Sequence, residues 1–298
     1  MCGIVGYVGK ADAPSVLING LRRLEYRGYD SAGVAILDDD RIIVAKAPGK
    51  VSALNERARA EWPADRFSRT TLGIAHTRWA THGPPTEVNA HPHLDQSGEI
   101  ALVHNGIIEN YRALRSRLEG RGHHFYSETD TEVLAHLIGD CDKGNLFQAV
   151  CDALHQVEGT FGIAVLSSRE PGKIITARRG SPIVIGVGDG ETIIASDASA
   201  ILAHTQRVIY LDDNDIAIVK ADSVEIRDLN NIPVTREIAE LGLDAAAAEK
   251  GGYEHFMLTA IHAQPDALAD ALRGRPDFNI ASSVLAGMGT SPRELAEL

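Results

Sequence analysis

The chain has 298 residues, 44% hydrophobic and 23% charged, a composition that can bury a sizeable core and excludes disordered and fibrous classes. Its 29 basic and 41 acidic residues leave a net charge of −12, which argues against sequence-independent binding to nucleic acid or to an anionic membrane, since both need a basic face. No apolar run approaches the about 18 residues of a membrane helix, the N-terminus has no basic-then-apolar leader, and Cys2, Cys141 and Cys151 lack CxxC spacing, a usage that fits the reducing cytoplasm rather than a disulfide scaffold or zinc site.

Taken in chain order, short β-like runs dominate residues 2 to 235. A strand at 4–8 precedes a helix at 13–24, where Val16, Leu17, Gly20, Leu21 and Leu24 share one face. Strands are predicted at 31–37, 41–46, 72–76 and 100–105, then helices at 110–120, 131–139 and 146–157. Thr129, Asp130 or Thr131 is positioned to cap the second of these. Further strands are predicted at 162–167, 174–178, 183–188, 191–196, 207–211, 215–220 and 223–228, with Gly188-Asp189-Gly190 as a hairpin turn. Consecutive hairpins without βαβ alternation point to an α+β layered sandwich. Beyond residue 235 the character changes: 239–248 is rich in Ala, Leu and Glu, 253–273 reads as a long helix interrupted near Pro265, and 276–298 has too few large apolar residues for a core of its own.

Five stretches carry chemistry. Met1-Cys2-Gly3-Ile4 allows removal of Met1, which would leave a thiol and an α-amine on one residue. Their ordinary pKa values of about 8.5 and about 7.7–8.0 let the amine take the thiol proton and make a nucleophile; the alternative is an incidental buried cysteine. His76-Thr77-Arg78-Trp79-Ala80-Thr81-His82-Gly83, with His91, His93 and His104, places five histidines within 29 residues. That invites a metal reading, yet no HExxH or His/Cys pattern of a metal site is present. A ligand loop in which Arg78 grips a carboxylate is the other reading. His104-Asn105-Gly106 closes an apolar strand and can be either a hairpin turn or a pair of oxyanion donors. Ser127 to Glu132 offers a carboxylate for an ammonium group or a helix cap, and Tyr26-Arg27-Gly28-Tyr29-Asp30-Ser31 reads as a turn from helix to strand.

Together and in this order, these stretches resemble the N-terminal nucleophile class of glutamine amidotransferases. Within it, Arg22 to Gly33, His76 to Gly83, Asn89 to His93 and His104 to Asn110 are most similar to the glutaminase half of the isomerizing glutamine–fructose-6-phosphate aminotransferase family. The resemblance implies a four-layer αββα sandwich with antiparallel sheets. It makes Cys2 the nucleophile with its own α-amine as base, and Asn105 with the Gly106 N–H the oxyanion donors. Arg78 would bind the α-carboxylate and Asp130 the α-ammonium of L-glutamine, while Trp79, Thr81, His82 and Gly83 would close over it. Arg27 and Gly28 would support the nucleophile, and no metal or organic cofactor is implied. It divides the chain into a glutaminase domain at 2–235 and linker helices at 236–298. Those helices would lead to a sugar isomerase half beyond residue 298, where fructose 6-phosphate would bind and through which two complete chains would pair. Thr259, Ala260 and Ala263 depart from the family's linker pattern, and Gly287-Met288-Gly289-Thr290-Ser291, with no apolar strand before it, reads as a turn.

Overall fold

In the computed structural model, residues 2–80 and 83–241 are described, together with 257–258, 261–262, 264–265, 276–277 and 282–283. Backbone contacts divide the chain into a unit of residues 1–245 and a second unit of residues 246–298.

The first unit opens with β1 (Gly3–Val8), α1 (Ala13–Leu24), β2 (Ser31–Asp38) and β3 (Arg41–Pro48). Helices α2 (Val51–Glu61) and α3 (Ala64–Arg69) follow, then β4 (Leu72–Arg78), β5 (His93–Leu94) and β6 (Ile100–Ile108). Three helices come next: α4 (Tyr111–Glu119), α5 (Asp130–Cys141) and α6 (Leu146–Leu154). The remainder is strand: β7 (Gly159–Ser167), β8 (Lys173–Arg179), β9 (Val184–Val187), β10 (Thr192–Ala195), β11 (Arg207–Tyr210), β12 (Asp215–Lys220), β13 (Val224–Asp228) and β14 (Ala239–Glu240).

These strands form two antiparallel sheets. One has the order β14-β11-β9-β10-β1-β4-β2-β3 and the other β13-β12-β8-β7-β6-β5. Period-2 alternation decides what each face packs against. Ile4, Val8, Leu72 and Ile74 from the first sheet meet Ala101, Val103, Ala164 and Leu166 from the second in one apolar layer. The opposite face of the second sheet sends Ile100, Leu102, Ile163 and Val165 onto Leu114, Leu134, Leu137, Leu146 and Val150 of α4, α5 and α6. On the first sheet's outer face, α1 lies against β1 and β4, and α2 against β3. The order is thus helix, sheet, sheet, helix: the αββα sandwich that the resemblance implied.

Each predicted strand up to residue 228 and each of the four predicted helices is present, the helix at 13–24 and the strand at 215–220 with the predicted bounds and the others with shifted ends. The Gly188 to Gly190 turn joins β9 to β10, closed by Gly188 N–H to Glu191 O at 2.9 Å. Thr129 caps α5, its Oγ1 accepting the Glu132 N–H at 3.3 Å. Asn105-Gly106 is no turn: both residues sit inside β6, opposite Gly162 and Phe161 of β7. Helices α2 and α3 and strand β5 are additions that the sequence pattern did not predict.

The expectation of helices throughout 236–298 needs correction. Ala239–Glu240 is a strand, because pairing with β11 satisfies an open sheet edge, and the Leu241 N–H reaches Gln206 O at 2.8 Å. In the second unit 257–258, 261–262 and 264–265 are helical, whereas Pro276–Asp277 pairs antiparallel with Ser282–Ser283. Thr259, Ala260, Ala263, the 287–291 turn and the rest of that stretch lie outside the described residues.

Candidate active site

The same alternation that buries Leu72 and Ile74 between the sheets also points His76 and Arg78 inward at the end of β4. In β6 it directs Asn105 inward after Ala101 and Val103. The β1–β4 register pairs Gly3 with Thr77 and Ile4 with His76, which sets Cys2 beside Arg78 on this inward face. His104 points the other way, toward α5, where its Nδ1 meets Thr131 Oγ1 at 3.0 Å. One end of an otherwise apolar sandwich is therefore polar.

Trp79 brackets the Cys2 sulfur, with its N–H donating at 3.2 Å and its carbonyl accepting at 3.6 Å. Burial pushes the Cys2 thiol above its ordinary value, against the Trp79 N–H and the Arg78 and Arg27 cations, which pull it down. Asn105 Nδ2 donates to the Cys2 carbonyl at 3.2 Å, and Asn105 Oδ1 lies 3.0 Å from His76 Nε2. Gly106 has φ +132°, and a Cβ there would fall 2.1 Å from Thr160 O; only glycine fits.

Arg78 is buried and donates to Gly83 O at 3.4 Å and Pro84 O at 3.3 Å. Burial lowers its pKa, opposed by Cys2, Asp130 and Asp30. Asp130 opens α5 and accepts the Ile108 N–H at 2.8 Å. Cys2, Arg78, Trp79, Gly106 and Asp130 line one cavity of about 20 Å³, with His91, His104, Thr129 and Thr131 completing it. That is room for about one water. A larger cavity of about 640 Å³, bordered by Lys46, His93, Asp95, Glu132 and His136, is lined by none of Cys2, Arg78, Asn105, Gly106 and Asp130.

Arg27 donates to Asp197 at 2.9 Å, as does the Tyr26 hydroxyl. Gly28 lies in extended backbone so close to the loop that a Cβ would stand 3.0 Å from Trp79 N. The Asp30 carboxylate accepts the Ala80 N–H at 2.9 Å, and Asn89 ties Pro84 O to the Glu128 N–H at 3.1 and 3.0 Å. Thr81, His82 and Met1 lie outside the described residues. The structure thus brings together Cys2, Arg78, Trp79, Asn105, Gly106 and Asp130, with Gly83, Arg27 and Gly28 behind them. Asp30 and Asn89 lie in stretches that carry the resemblance but had no role of their own there, Asp197 lies in none of them, and Thr129, expected as a helix cap, also lines the cavity.

Among the described residues no three His, Cys, Asp or Glu side chains form a metal-binding group. The crowded histidines pack on one another instead: His76 stacks on His91 at 4.2 Å between ring centroids, and His91 meets His93 edge-on at 5.1 Å.

Residues 50–242 match the family model of the glutamine amidotransferase domain. The chain is similar to glutamine–fructose-6-phosphate aminotransferases (isomerizing) of Chlorobaculum tepidum, at 51% identity over 92% of this chain and 45% of that one. Those of Thermus thermophilus (49% identity, 99% and 48%) and Caldanaerobacter subterraneus (47%, 100% and 48%) are comparable. The chain spans about half the length of these curated relatives. Among solved structures, the glutamine phosphoribosylpyrophosphate amidotransferase of B. subtilis superposes with a TM-score of 0.65 at 25% identity, covering 76% of this chain and 49% of that one. The family model matches well over half of the chain, and the fold agrees with that of the solved amidotransferase: the chain belongs to the glutamine amidotransferase domain family.

Proposed function

We propose that this chain hydrolyses L-glutamine to glutamate and ammonia through a thioester on Cys2. The observation that carries the reading is the convergence of Cys2, Gly106, Arg78 and Asp130, drawn from both sheets and α5, around one cavity, with the Asn105 amide bonded to the Cys2 carbonyl beside it. Removal of Met1 exposes the Cys2 α-amine, which takes the thiol proton directly or through a water. The thiolate attacks the side-chain amide carbon of glutamine, and the amide oxygen becomes an oxyanion held by Asn105 Nδ2 and the Gly106 N–H. Collapse expels ammonia, which leaves with the transferred proton, and a glutamyl thioester remains. Water then adds to the thioester carbonyl, glutamate departs and the thiol is restored. Arg78 receives the α-carboxylate and Asp130 the α-ammonium, so the substrate's charged end is fixed about the reacting amide. Trp79, Thr81, His82 and Gly83 are assigned on this reading to closing over the substrate, and Arg27 with Gly28 to supporting the strand end that carries Cys2.

In the complete protein, ammonia made here serves conversion of fructose 6-phosphate to glucosamine 6-phosphate. Support comes from relatives at 47–51% identity named glutamine–fructose-6-phosphate aminotransferase, against 25–26% for the solved phosphoribosylpyrophosphate amidotransferase and the solved regulatory enzyme of purine biosynthesis. On this reading 2–235 is the glutaminase domain and 236–298 leads toward a sugar isomerase half, and the protein works in the cytoplasm. Among the described residues no helix is long and apolar enough to cross a membrane.

The chain with Met1 removed should release glutamate and ammonia from glutamine, and Cys2→Ala should abolish this. The alkylating analogue 6-diazo-5-oxo-norleucine should label Cys2 and neither Cys141 nor Cys151. Turnover that survives in Cys2→Ala refutes the mechanism.

A further inference from the structure

His76 takes no part in the mechanism above, yet it is fully buried, with 0% of its surface exposed, and it touches the oxyanion machinery. The Asn105 side chain has one donating and one accepting end. One end lies 3.2 Å from the Cys2 carbonyl oxygen, which can only accept. That end is therefore Nδ2, and the other is Oδ1. Oδ1 can only accept in turn, so the His76 nitrogen 3.0 Å away must bear a hydrogen. Rotating the amide by half a turn would set oxygen against oxygen at Cys2 and N–H against N–H at His76. Each bond thus dictates the other.

We infer that His76 is a positioning residue for the oxyanion site, its Nε2–H holding the Asn105 amide with Nδ2 turned toward Cys2. Burial drives the His76 pKa down to about 3, with the Asn105 bond opposing it, so near neutral pH the ring carries one hydrogen only. Donation into Oδ1 also polarises the amide and strengthens Nδ2 as a donor when negative charge develops on the substrate oxygen.

The ring has little freedom to leave this post. His91 stacks on it at 4.2 Å with 29° between planes, and His93 meets His91 at 63°. Gly33, opposite His76 in the β2–β4 register, makes the stack possible: a Cβ there would lie 2.2 Å from the His91 carbonyl. His93 Nε2 in turn meets Thr129 Oγ1 at 2.9 Å, and Thr129 caps the helix that begins with Asp130. One packed column therefore runs from the oxyanion donor to the residue assigned to the substrate ammonium.

This inference rests on the glutaminase reading, and its test separates the two. The protein is the chain with Met1 removed, and the probes are glutamine hydrolysis and inhibition by glutamate 5-semialdehyde. That aldehyde adds the Cys2 thiol and places its oxygen where the oxyanion forms. His76→Phe keeps a ring without a donor and should lower kcat about 10- to 100-fold, short of the about 10²–10³-fold of deleting an oxyanion donor outright. KM should hold, aldehyde binding should weaken by a similar factor, and His76→Gln, which restores an N–H, should recover part of both. Wild-type kcat in His76→Phe, or equal losses in both variants with a raised KM, overturns the assignment in favour of packing alone. Independently of any variant, the ¹⁵N shifts of histidine-labelled wild-type protein should show His76 as the Nε2–H tautomer; the Nδ1–H tautomer overturns it. An absence of glutamine hydrolysis by the wild-type chain refutes the glutaminase reading instead, and the tautomer can be read in either case.

Discussion

Gly106→Ala tests whether backbone geometry in β6 places an oxyanion donor. An added Cβ would sit 2.1 Å from Thr160 O, 2.7 Å from Thr160 C and 3.0 Å from His104 Nε2. The first two are backbone atoms of β7 and cannot swing aside. Relaxing a carbon–oxygen contact to about 3.3 Å therefore parts the strands locally by about 1 Å. The Gly106 N–H moves with the strand, and a displacement of about 1 Å costs on the order of 10²-fold in rate. A side chain at φ +132° adds about 1–3 kcal/mol of backbone strain. In a domain of this size, each kcal/mol shifts the melting temperature by about 2–4 °C. Gly172→Ala is the matched control, because Gly172 has φ +83° and no atom within 4 Å of the built Cβ. Ammonia release and thermal melts on both variants decide the matter. Gly106→Ala should lose about 10²-fold in kcat and melt lower, while Gly172→Ala should lose only stability. Full turnover in Gly106→Ala, or equal activity loss in both, refutes the argument.

Three further substitutions probe the surroundings. Arg78→Lys keeps the charge but loses the planar fork, so KM for glutamine should rise about 10–100-fold with kcat nearly held; a fall confined to kcat would remove Arg78 from the carboxylate. Asp197→Asn removes the carboxylate charge that faces the buried Arg27 cation and should cost about 1–3 kcal/mol at pH 7. Burial pushes the Asp197 carboxyl up, but the Ser199 N–H, Tyr26 and Arg27 hold it below its ordinary value. The wild-type advantage should therefore be full above about pH 4 and fade as pH falls through the folded-state value, and a gap that persists unchanged to acid pH contradicts the pairing. Lys46 points the other way, since burial lowers its pKa to about 8 despite Glu132 and Glu87. Its protonated form is disfavoured in the fold, so Lys46→Met should raise stability at pH 7 by about 1–3 kcal/mol. That gain should shrink from pH 8 and vanish near about pH 10.4; a lower melting temperature at pH 7 would contradict it.

Where a residue's role follows from its own neighbours in the chain, the sequence was readable. Thr129 ahead of an acidic first turn and alternating runs such as 72–76 declare themselves locally, and the proposed role of Cys2 draws on an equally local feature, the removable methionine beside it. Helix α2 buries Val51, Leu54 and Ala58 at helical spacing, but the charged residues between them dilute the stripe, and α3 is too short to show a period. Strand β5 has two residues, less than one full alternation. Asn105-Gly106 misleads for a different reason. Asn-Gly favours hairpin turns through positive φ at glycine, and Gly106 does have positive φ, but here it serves close approach to Thr160 within a strand. Asp197 stands 170 residues from Arg27, and His76 meets Asn105 across the two sheets; neither pairing has a local signature. The histidines' density invited a metal reading, yet their rings stack face to face and edge to face.

The site's position follows from strand polarity. Along β4 the inward residues run Leu72, Ile74, His76, Arg78, and along β6 they run Ala101, Val103, Asn105, passing from apolar to polar toward the C-terminal end. Along β1 the inward residues run Cys2, Ile4, Gly6, Val8, from polar to apolar. Because β1 is antiparallel to β4, its polar beginning lies at the polar end of β4, and the Asn105 amide reaches the Cys2 carbonyl from the other sheet. A register slip of one residue in β1 would rotate Cys2 out of the inter-sheet space and bring Gly3 in. The Ser196 hydroxyl resists that slip by accepting the Ile4 N–H at 3.0 Å, while the Ile4 carbonyl accepts the Ser196 N–H at 3.1 Å. In the proposed mechanism the base is the nucleophile's own α-amine, so the nucleophile must stand where a chain begins. A strand that begins at the polar end of a sandwich, locked in register two residues later, is how this fold meets that demand.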